Sequence, residues 1–279
     1  MKIAFLFPGQ GSQFAGMGKE LAESFPVAKA TFEEADDALG FALSKLCFAG
    51  PEEDLKQTEN TQPALVATSV AALRVLEELG APAPAFVTGH SLGEYSALVA
   101  AGSLGFADAV RLVRKRGQYM QTAVPAGVGA MAAILKMPFE ALDGVLAAAA
   151  QGEVVTAANL NSPDQIVIAG HKGAVQRAME GAKAAGAKRC VPLPVSAPFH
   201  CPLMKPAQEM LRVDLEATEF KPLTVPLVNN WQARVITSGD QARVGLFEQV
   251  PNPVRWVESV RLLAGEGVTH AIEVGAGKV

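Results

Sequence analysis

Gly89-His90-Ser91-Leu92-Gly93 is a G-x-S-x-G pentapeptide, and a serine in that setting can act as a nucleophile. Ala85 to His90 reads as a short strand, and Leu92 to about Ala101 as a helix stopped by Gly102. Between strand and helix the serine would stand exposed on a sharp turn at the positive end of the helix. Backbone N–H groups there can hold a developing oxyanion. A plainer reading exists. Ser91-Leu92-Gly93-Glu94 also fits S-x-x-E, a capping box that only starts a helix. The two flanking glycines favour the turn, because a cap does not need both. His90 adjoins the serine in sequence but points the other way from such a turn, and we expect it to be structural.

Arg116 stands on the wrong side of its helix. Over Ala107 to Thr122, Ala109, Leu112, Val113 and Met120 form an apolar stripe at helical spacing, and Arg116 projects from its middle. Arg111, Arg114 and Lys115 fall on other faces, where solvation suffices. A buried guanidinium needs an anion, since an unpaired buried charge costs several kcal/mol. That anion is either an internal carboxylate or a carboxylate on a substrate, which arginine can bind with two parallel hydrogen bonds.

A serine needs a base near neutral pH, and histidine has the right intrinsic pKa. His171 follows Gly170 in what reads as an exposed turn, and His270 precedes the strand Ala271 to Val274 and reads as packing. His200 lies in the proline-bracketed stretch Val195-Ser196-Ala197-Pro198-Phe199-His200-Cys201-Pro202. A junction of that kind favours a cleft. By elimination His200 is the candidate base.

The elements that must position these residues alternate between strand and helix, which predicts an α/β fold with a mostly parallel sheet. Ile3 to Phe7 is a buried strand and Pro63 to Leu79 a helix ending at Gly80. After Pro125-Ala126-Gly127 come a strand (Ala130 to Leu135), a helix (Phe139 to Ala150) and two strands (Val154 to Asn159, Gln165 to Ala169). A helix (Ala174 to Ala185) and a strand (Lys188 to Leu193) follow. That β-α-β-β-α-β order is the ferredoxin-like pattern. The predicted division is a large domain over 1–126 and 198–279 with an inserted small domain over 127–197.

Length and composition set the outer limits. A chain of 279 residues can bury a sizeable core. A net charge of −4 argues against general nucleic-acid binding. The three cysteines match no zinc or redox spacing, and an odd count suits a reducing compartment. No apolar run reaches membrane-spanning length, and the short run after Met1 stops at Pro8-Gly9. These points predict a cytoplasmic protein, with no membrane or nucleic-acid partner and no metal. We expect a monomer.

Taken together, several motifs resemble the malonyl-CoA:acyl carrier protein transacylase family of the free-standing bacterial type. They are Phe7-Pro8-Gly9-Gln10-Gly11-Ser12-Gln13, Thr61-Gln62-Pro63-Ala64, Gly89-His90-Ser91-Leu92-Gly93-Glu94-Tyr95-Ser96, Arg116-Gly117-Gln118-Tyr119-Met120, Asn159-Leu160-Asn161-Ser162-Pro163, Pro198-Phe199-His200 and Glu273-Val274-Gly275. The resemblance covers essentially the whole chain. It implies an α/β-hydrolase-like domain carrying a ferredoxin-like insertion. Ser91 would be acylated, His200 would be its base, and Arg116 would hold the malonyl carboxylate. The N–H groups of Gln10 and Leu92 would form the oxyanion hole. A backbone carbonyl, that of Gln249, would orient the histidine. Met120, Phe199 and Asn159 would line the acyl pocket. Phenylalanine before the histidine goes with malonyl over methylmalonyl in related domains, by analogy. The chain ends at Gly277-Lys278-Val279, where relatives usually continue with further helix.

The implied reaction is ping-pong transfer of malonyl from a coenzyme A thioester to the phosphopantetheine thiol of acyl carrier protein, for fatty acid synthesis, with no cofactor. Lys188 and Arg189 are the candidate docking patch for an acidic carrier. The rival enzyme is a serine esterase or thioesterase, which has no need of a buried Arg116 and usually wants an acid behind its histidine. A non-catalytic carrier-binding module would need none of the three polar residues.

Overall fold

A computed structural model describes residues 1–195 and 197–277; Ser196, in the proline-bracketed stretch, and Lys278 and Val279 lie outside the described residues. Strand β1 (Ile3–Phe7) is almost wholly buried, as an unbroken apolar run requires of a central parallel strand. Helices α1 (Lys19–Ser24), α2 (Pro26–Leu39), α3 (Leu43–Ala49) and α4 (Glu52–Leu55) lead to the long α5 (Thr58–Glu78). The sequence places the start of α5 at Pro63, but the helix begins at Thr58. Proline cannot donate to the carbonyl four residues back. Arg114 fills that gap, donating from Nη1 to Glu59 O at 3.2 Å.

Next come β2 (Phe86–Gly89), α6 (Gly93–Ala100) and α7 (Phe106–Thr122). A second group follows: β3 (Gly129–Leu135), α8 (Leu142–Ala150), β4 (Val155–Ser162), β5 (Gln165–His171), α9 (Lys172–Ala184) and β6 (Arg189–Pro192). The predicted helix over Phe139 to Ala150 opens as a 3₁₀ turn before α8. The chain closes with α10 (Lys205–Ala217), β7 (Leu227–Val228), β8 (Val235–Ile236), α11 (Gly239–Gln249), α12 (Trp256–Gly265) and β9 (His270–Glu273).

Two sheets result. The larger runs β8-β7-β2-β1-β9 and is parallel except for the β7–β8 pair. The smaller runs β4-β5-β3-β6 and is antiparallel throughout, which is the ferredoxin-like order. Its strands alternate in what they face, as the two-residue period of a strand demands. Ala132, Ile134, Ile166 and Ile168 pack with α8 and α9 in a core of their own. Met131, Ala133, Val167 and Ala169 face the main core instead. One side of the small sheet therefore forms a wall over the large one.

Strand β4 runs past its predicted end at Asn159, on to Ser162, by way of a register shift between Ala157 and Asn159. Such a bulge re-aims a side chain. There β4 is joined to the chain before α12. Leu160 N donates to Val254 O and Val254 N donates to Ala158 O, each at 2.9 Å. No helix among the described residues is long and apolar enough to cross a membrane.

Candidate active site

Strand β2 ends at Gly89 and α6 begins at Gly93, so Ser91 stands on the turn between them. Its φ is +52°, in the left-handed region, which costs a non-glycine residue about 1–3 kcal/mol. The glycines are there because backbone crowds them. A Cβ on Gly93 would lie 2.4 Å from Phe7 O and 2.7 Å from Pro8 O, and one on Gly89 would lie 2.0 Å from the Gly93 carbonyl. Gly93→Ala is therefore expected to destabilise the protein by about 1–3 kcal/mol. A thermal melt checks this, and an unchanged melting temperature would mean that the turn relaxes freely.

The capping-box reading fails. Leu92 is the N-cap of α6, and no side chain caps it. The Glu94 carboxylate turns inward instead, its Oε2 accepting from Asn230 N at 3.0 Å and from Gln249 Nε2 at 2.8 Å. Asn230, after β7, ties the turn shut. Its Oδ1 accepts the Ser91 N–H at 2.7 Å and its Nδ2 donates to Gly89 O at 2.7 Å.

Ser91 Oγ lies 2.7 Å from His200 Nε2. The other ring nitrogen, Nδ1, is 2.9 Å from the Gln249 backbone carbonyl. A carbonyl only accepts, so Nδ1 carries the proton, Nε2 is the acceptor, and the serine hydroxyl donates to it. His200 also has a left-handed backbone, φ +56°. Burial, and then the charge of Arg116, pull its pKa down to about 3. A base is active in its neutral form, and a lowered pKa keeps the ring neutral until the pH falls that far. The rate of Ser91 acylation is thus expected to stay level as pH drops from 7.5 to about 5. A pre-steady-state pH series measures it, and an acid limb centred near 6.5 would mean the ring titrates as a solvated histidine.

Arg116 is buried in the middle of its apolar stripe on α7. Its Nη1 donates to Gln62 Oε1 at 2.8 Å, and its Nη2 donates to Gln249 Oε1 at 2.9 Å and Ser91 Oγ at 3.1 Å. Its partners among the described residues are neutral oxygens, so the internal-carboxylate alternative is not realised as a direct pair. Burial pulls its pKa down, opposed by the nearby Tyr95 and Glu94. The other cations on α7 divide. Arg111 is exposed against Asp108, and Lys115 reaches Asp214. Arg114, expected to be merely solvated, is half-buried between Glu59 at 3.4 Å and the Phe41 ring at 4.9 Å.

A cavity of about 110 Å³ opens over these groups, lined by Gln10, Gln62, Ser91, Arg116, Met120, Met131, Asn159, Phe199 and His200 among others. A space of that size suits a short acyl group. Leu92 and Gln249 sit behind its wall and are fully buried. Lys188 and Arg189 lie outside it, exposed at the edge strand β6.

Of the other histidines, His90 also lines the cavity, while His171 and His270 lie outside it. His90 Nε2 meets Asn161 Oδ1 at 2.9 Å and its ring stands edge-on to Trp256. His171 ends β5 rather than lying in an open turn, and its Nδ1 accepts from Val154 N at 2.9 Å. His270 is exposed rather than packed. Among the described residues no cluster of three His, Cys, Asp or Glu side chains could hold a metal ion. The sequence pointed to no role for Gln62, Asn230 or the Gln249 side chain, and to Glu94 only as part of a helix cap. Gln62 stands at the head of the apolar run Pro63 to Ala67 with polar residues before it, and neither it nor Asn230 carried a clear signal.

A serine whose hydroxyl donates to a neutral histidine, under a buried guanidinium, is an arrangement able to carry out acyl transfer through the serine oxygen. Residues 4–274 match the family model for the acyl transferase domain. The malonyl CoA-acyl carrier protein transacylase of Escherichia coli (strain K12) is 54% identical over 278 residues, covering 100% of this chain and 90% of that one. The protein of the same name from Bacillus subtilis (strain 168) is 55% identical over 279 residues, covering 100% and 88%. The solved acyl carrier protein S-malonyltransferase of Vibrio cholerae superposes with a TM-score of 0.98 at 52% identity, covering 100% and 91%. A malonyl-transacylase solved in complex with its type II PKS acyl-carrier protein gives a TM-score of 0.98 at 50% identity, covering 100% and 90%. The chain belongs to the acyl transferase family, among the malonyl CoA-acyl carrier protein transacylases.

Proposed function

We propose that this enzyme transfers malonyl from malonyl-CoA to the phosphopantetheine thiol of acyl carrier protein, through a malonyl-serine on Ser91, and so supplies fatty acid synthesis. The observation that carries the reading is the Arg116 guanidinium, buried beside a short acyl cavity with Nη2 3.1 Å from the nucleophile. Among the described residues it has no carboxylate in direct contact, and a malonyl carboxylate would supply one.

In the first half-reaction Ser91 Oγ attacks the thioester carbonyl as its proton passes to His200 Nε2. The N–H groups of Leu92 and Gln10 receive the oxyanion. Leu92 stands where a helix leaves its N–H groups without partners inside the helix, and Gln10 lines the cavity. The C–S bond then breaks and the proton goes from His200 to the departing coenzyme A sulfur. In the second half-reaction the carrier thiol gives its proton to His200 and attacks the malonyl-serine; the C–O bond breaks and Ser91 regains a proton. Gln249 O orients His200, and Met120, Phe199 and Asn159 shape the acyl pocket. On this reading 127–197 is an inserted unit whose sheet covers the serine of the catalytic unit, which the separate second sheet supports.

Incubation with malonyl-CoA alone, followed by intact mass measurement, tests the proposal. A malonyl adduct on Ser91, absent in Ser91→Ala and discharged by carrier protein, is expected. Free malonate without an adduct would favour an esterase instead. We further propose that Lys188 and Arg189 dock the acidic carrier. Reversing both charges is expected to raise the apparent KM for carrier about tenfold while leaving acylation by malonyl-CoA unchanged. Titrating carrier at fixed malonyl-enzyme checks it, and an unaltered KM would remove these two residues from the docking surface.

A further inference from the structure

Glu94 is a fully buried acid that the reaction above leaves unused. Its Oε2 accepts two N–H bonds, from Asn230 N and Gln249 Nε2, while its Oε1 has no hydrogen-bond partner among the described residues. The Gln249 amide reaches the other way to Arg116, whose Nη2 donates to Oε1 at 2.9 Å. A buried cation and a buried acid are thus joined through one amide. An amide has one acceptor end and one donor end. With Glu94 taking the donor end, the acceptor end is held toward the guanidinium. The titratable groups facing Glu94 are Arg116 from α7 and Tyr95 from its own helix. From α11 and the turn after β7 it meets Gln249 and Asn230.

Before an acyl group binds, Glu94 is the carboxylate near Arg116 among the described residues. A malonyl carboxylate brings a second into the same low-dielectric space. Two carboxylates around one cation push one of them toward its neutral form. Glu94 is the one prepared to yield, because burial already raises its pKa to about 7 against the opposing effects of Asn230, Gln249 and Arg116. A proton arriving on the unpartnered Oε1 leaves both bonds to Oε2 in place.

We infer that Glu94 is a charge-compensating positioning residue: it is counter-ion to Arg116 while no acyl carboxylate is bound, and it takes a proton from solvent when the malonyl carboxylate docks. The inference rests on Arg116 as the carboxylate clamp. Acetyl brings no second anion, so it calls for no proton. Binding coupled to proton uptake weakens as pH rises. Malonyl affinity should therefore fall above about pH 7 in a way that acetyl affinity does not.

Calorimetric titration of the Ser91→Ala enzyme, which cannot turn over, tests this in two buffers of different ionisation heat. With malonyl-CoA roughly half a proton should be taken up per site at pH 7 and more at pH 8, and with acetyl-CoA none beyond the shared nucleotide contribution. Ser91→Ala/Glu94→Gln should bind malonyl-CoA at least as tightly without the uptake, because the glutamine carbonyl can keep both N–H bonds. No uptake in Ser91→Ala, or uptake unaltered by Glu94→Gln, would overturn the inference while leaving the Arg116 reading intact. If malonyl-CoA binds no more tightly than acetyl-CoA, the Arg116 reading fails and this inference with it.

Discussion

His200→Ala is expected to slow the acylation of Ser91 by malonyl-CoA about 10³-fold or more. The geometry explains the size. The serine hydroxyl has one basic partner, His200 Nε2 at 2.7 Å, and that nitrogen is an acceptor only because Nδ1 is committed to Gln249 O. Without the ring the proton has no acceptor of suitable basicity, and Arg116 on the other side of the hydroxyl is a donor. The oxyanion donors and the elbow remain, so a residual rate above that of water should persist. Rapid-quench measurement of the malonyl-enzyme gives the number directly. A loss below tenfold would show that the hydroxyl finds another base, and it would remove His200 from the role assigned to it.

Arg116→Ala should instead change which acyl group is used. Hydrogen bonds to a charged group contribute about 1.5–3 kcal/mol each. Losing a two-bond carboxylate clamp should therefore lower kcat/KM for malonyl-CoA by about 3–6 kcal/mol, roughly 10²- to 10⁴-fold. Acetyl-CoA offers nothing for the guanidinium to hold. Its transfer should be unaltered or faster. The measured quantity is the ratio of the two specificity constants, which is insensitive to the amount of active enzyme. Arg116→Lys retains the charge without the fork and should fall between. A parallel fall for both thioesters would mean that Arg116 supports Ser91 through its 3.1 Å contact and does not select the acyl group. Truncation also leaves Gln62 Oε1 and Gln249 Oε1 without their donor. Labelling of Ser91 by a neutral serine-reactive probe is the control for an intact elbow.

Much of this was legible in the order of residues, and for local reasons. An unbroken apolar run marked β1, and the three-to-four-residue stripe on α7 marked Arg116 as buried. Glycines on both sides of Ser91 announced a turn tighter than a cap requires, and the crowding at Gly89 and Gly93 is the cause. The β-α-β-β-α-β order sufficed to predict the antiparallel small sheet. Errors came where a distant group overrode local preference. The helix of α5 starts before its proline because Arg114, far along the chain, attends to the carbonyl the proline abandons. Strand β4 outruns its predicted end because Val254 offers it hydrogen bonds.

The sequence by itself determined which side chains could do chemistry: a nucleophile at an elbow, a base, and a cation set in an apolar stripe. Periodicity and glycine spacing encode such features within a few turns of chain, and one sequence contains them whole. Tertiary structure alone decided how the three are wired. Asn230 closes the elbow, and the Gln249 side chain links Arg116 to Glu94, while the Gln249 carbonyl meets His200 Nδ1 where the family resemblance had placed it. Those contacts join residues 49 to 155 positions apart, through amides that would be equally at home on a surface. No local pattern marks them; only burial, which leaves each polar atom in need of a partner, selects them.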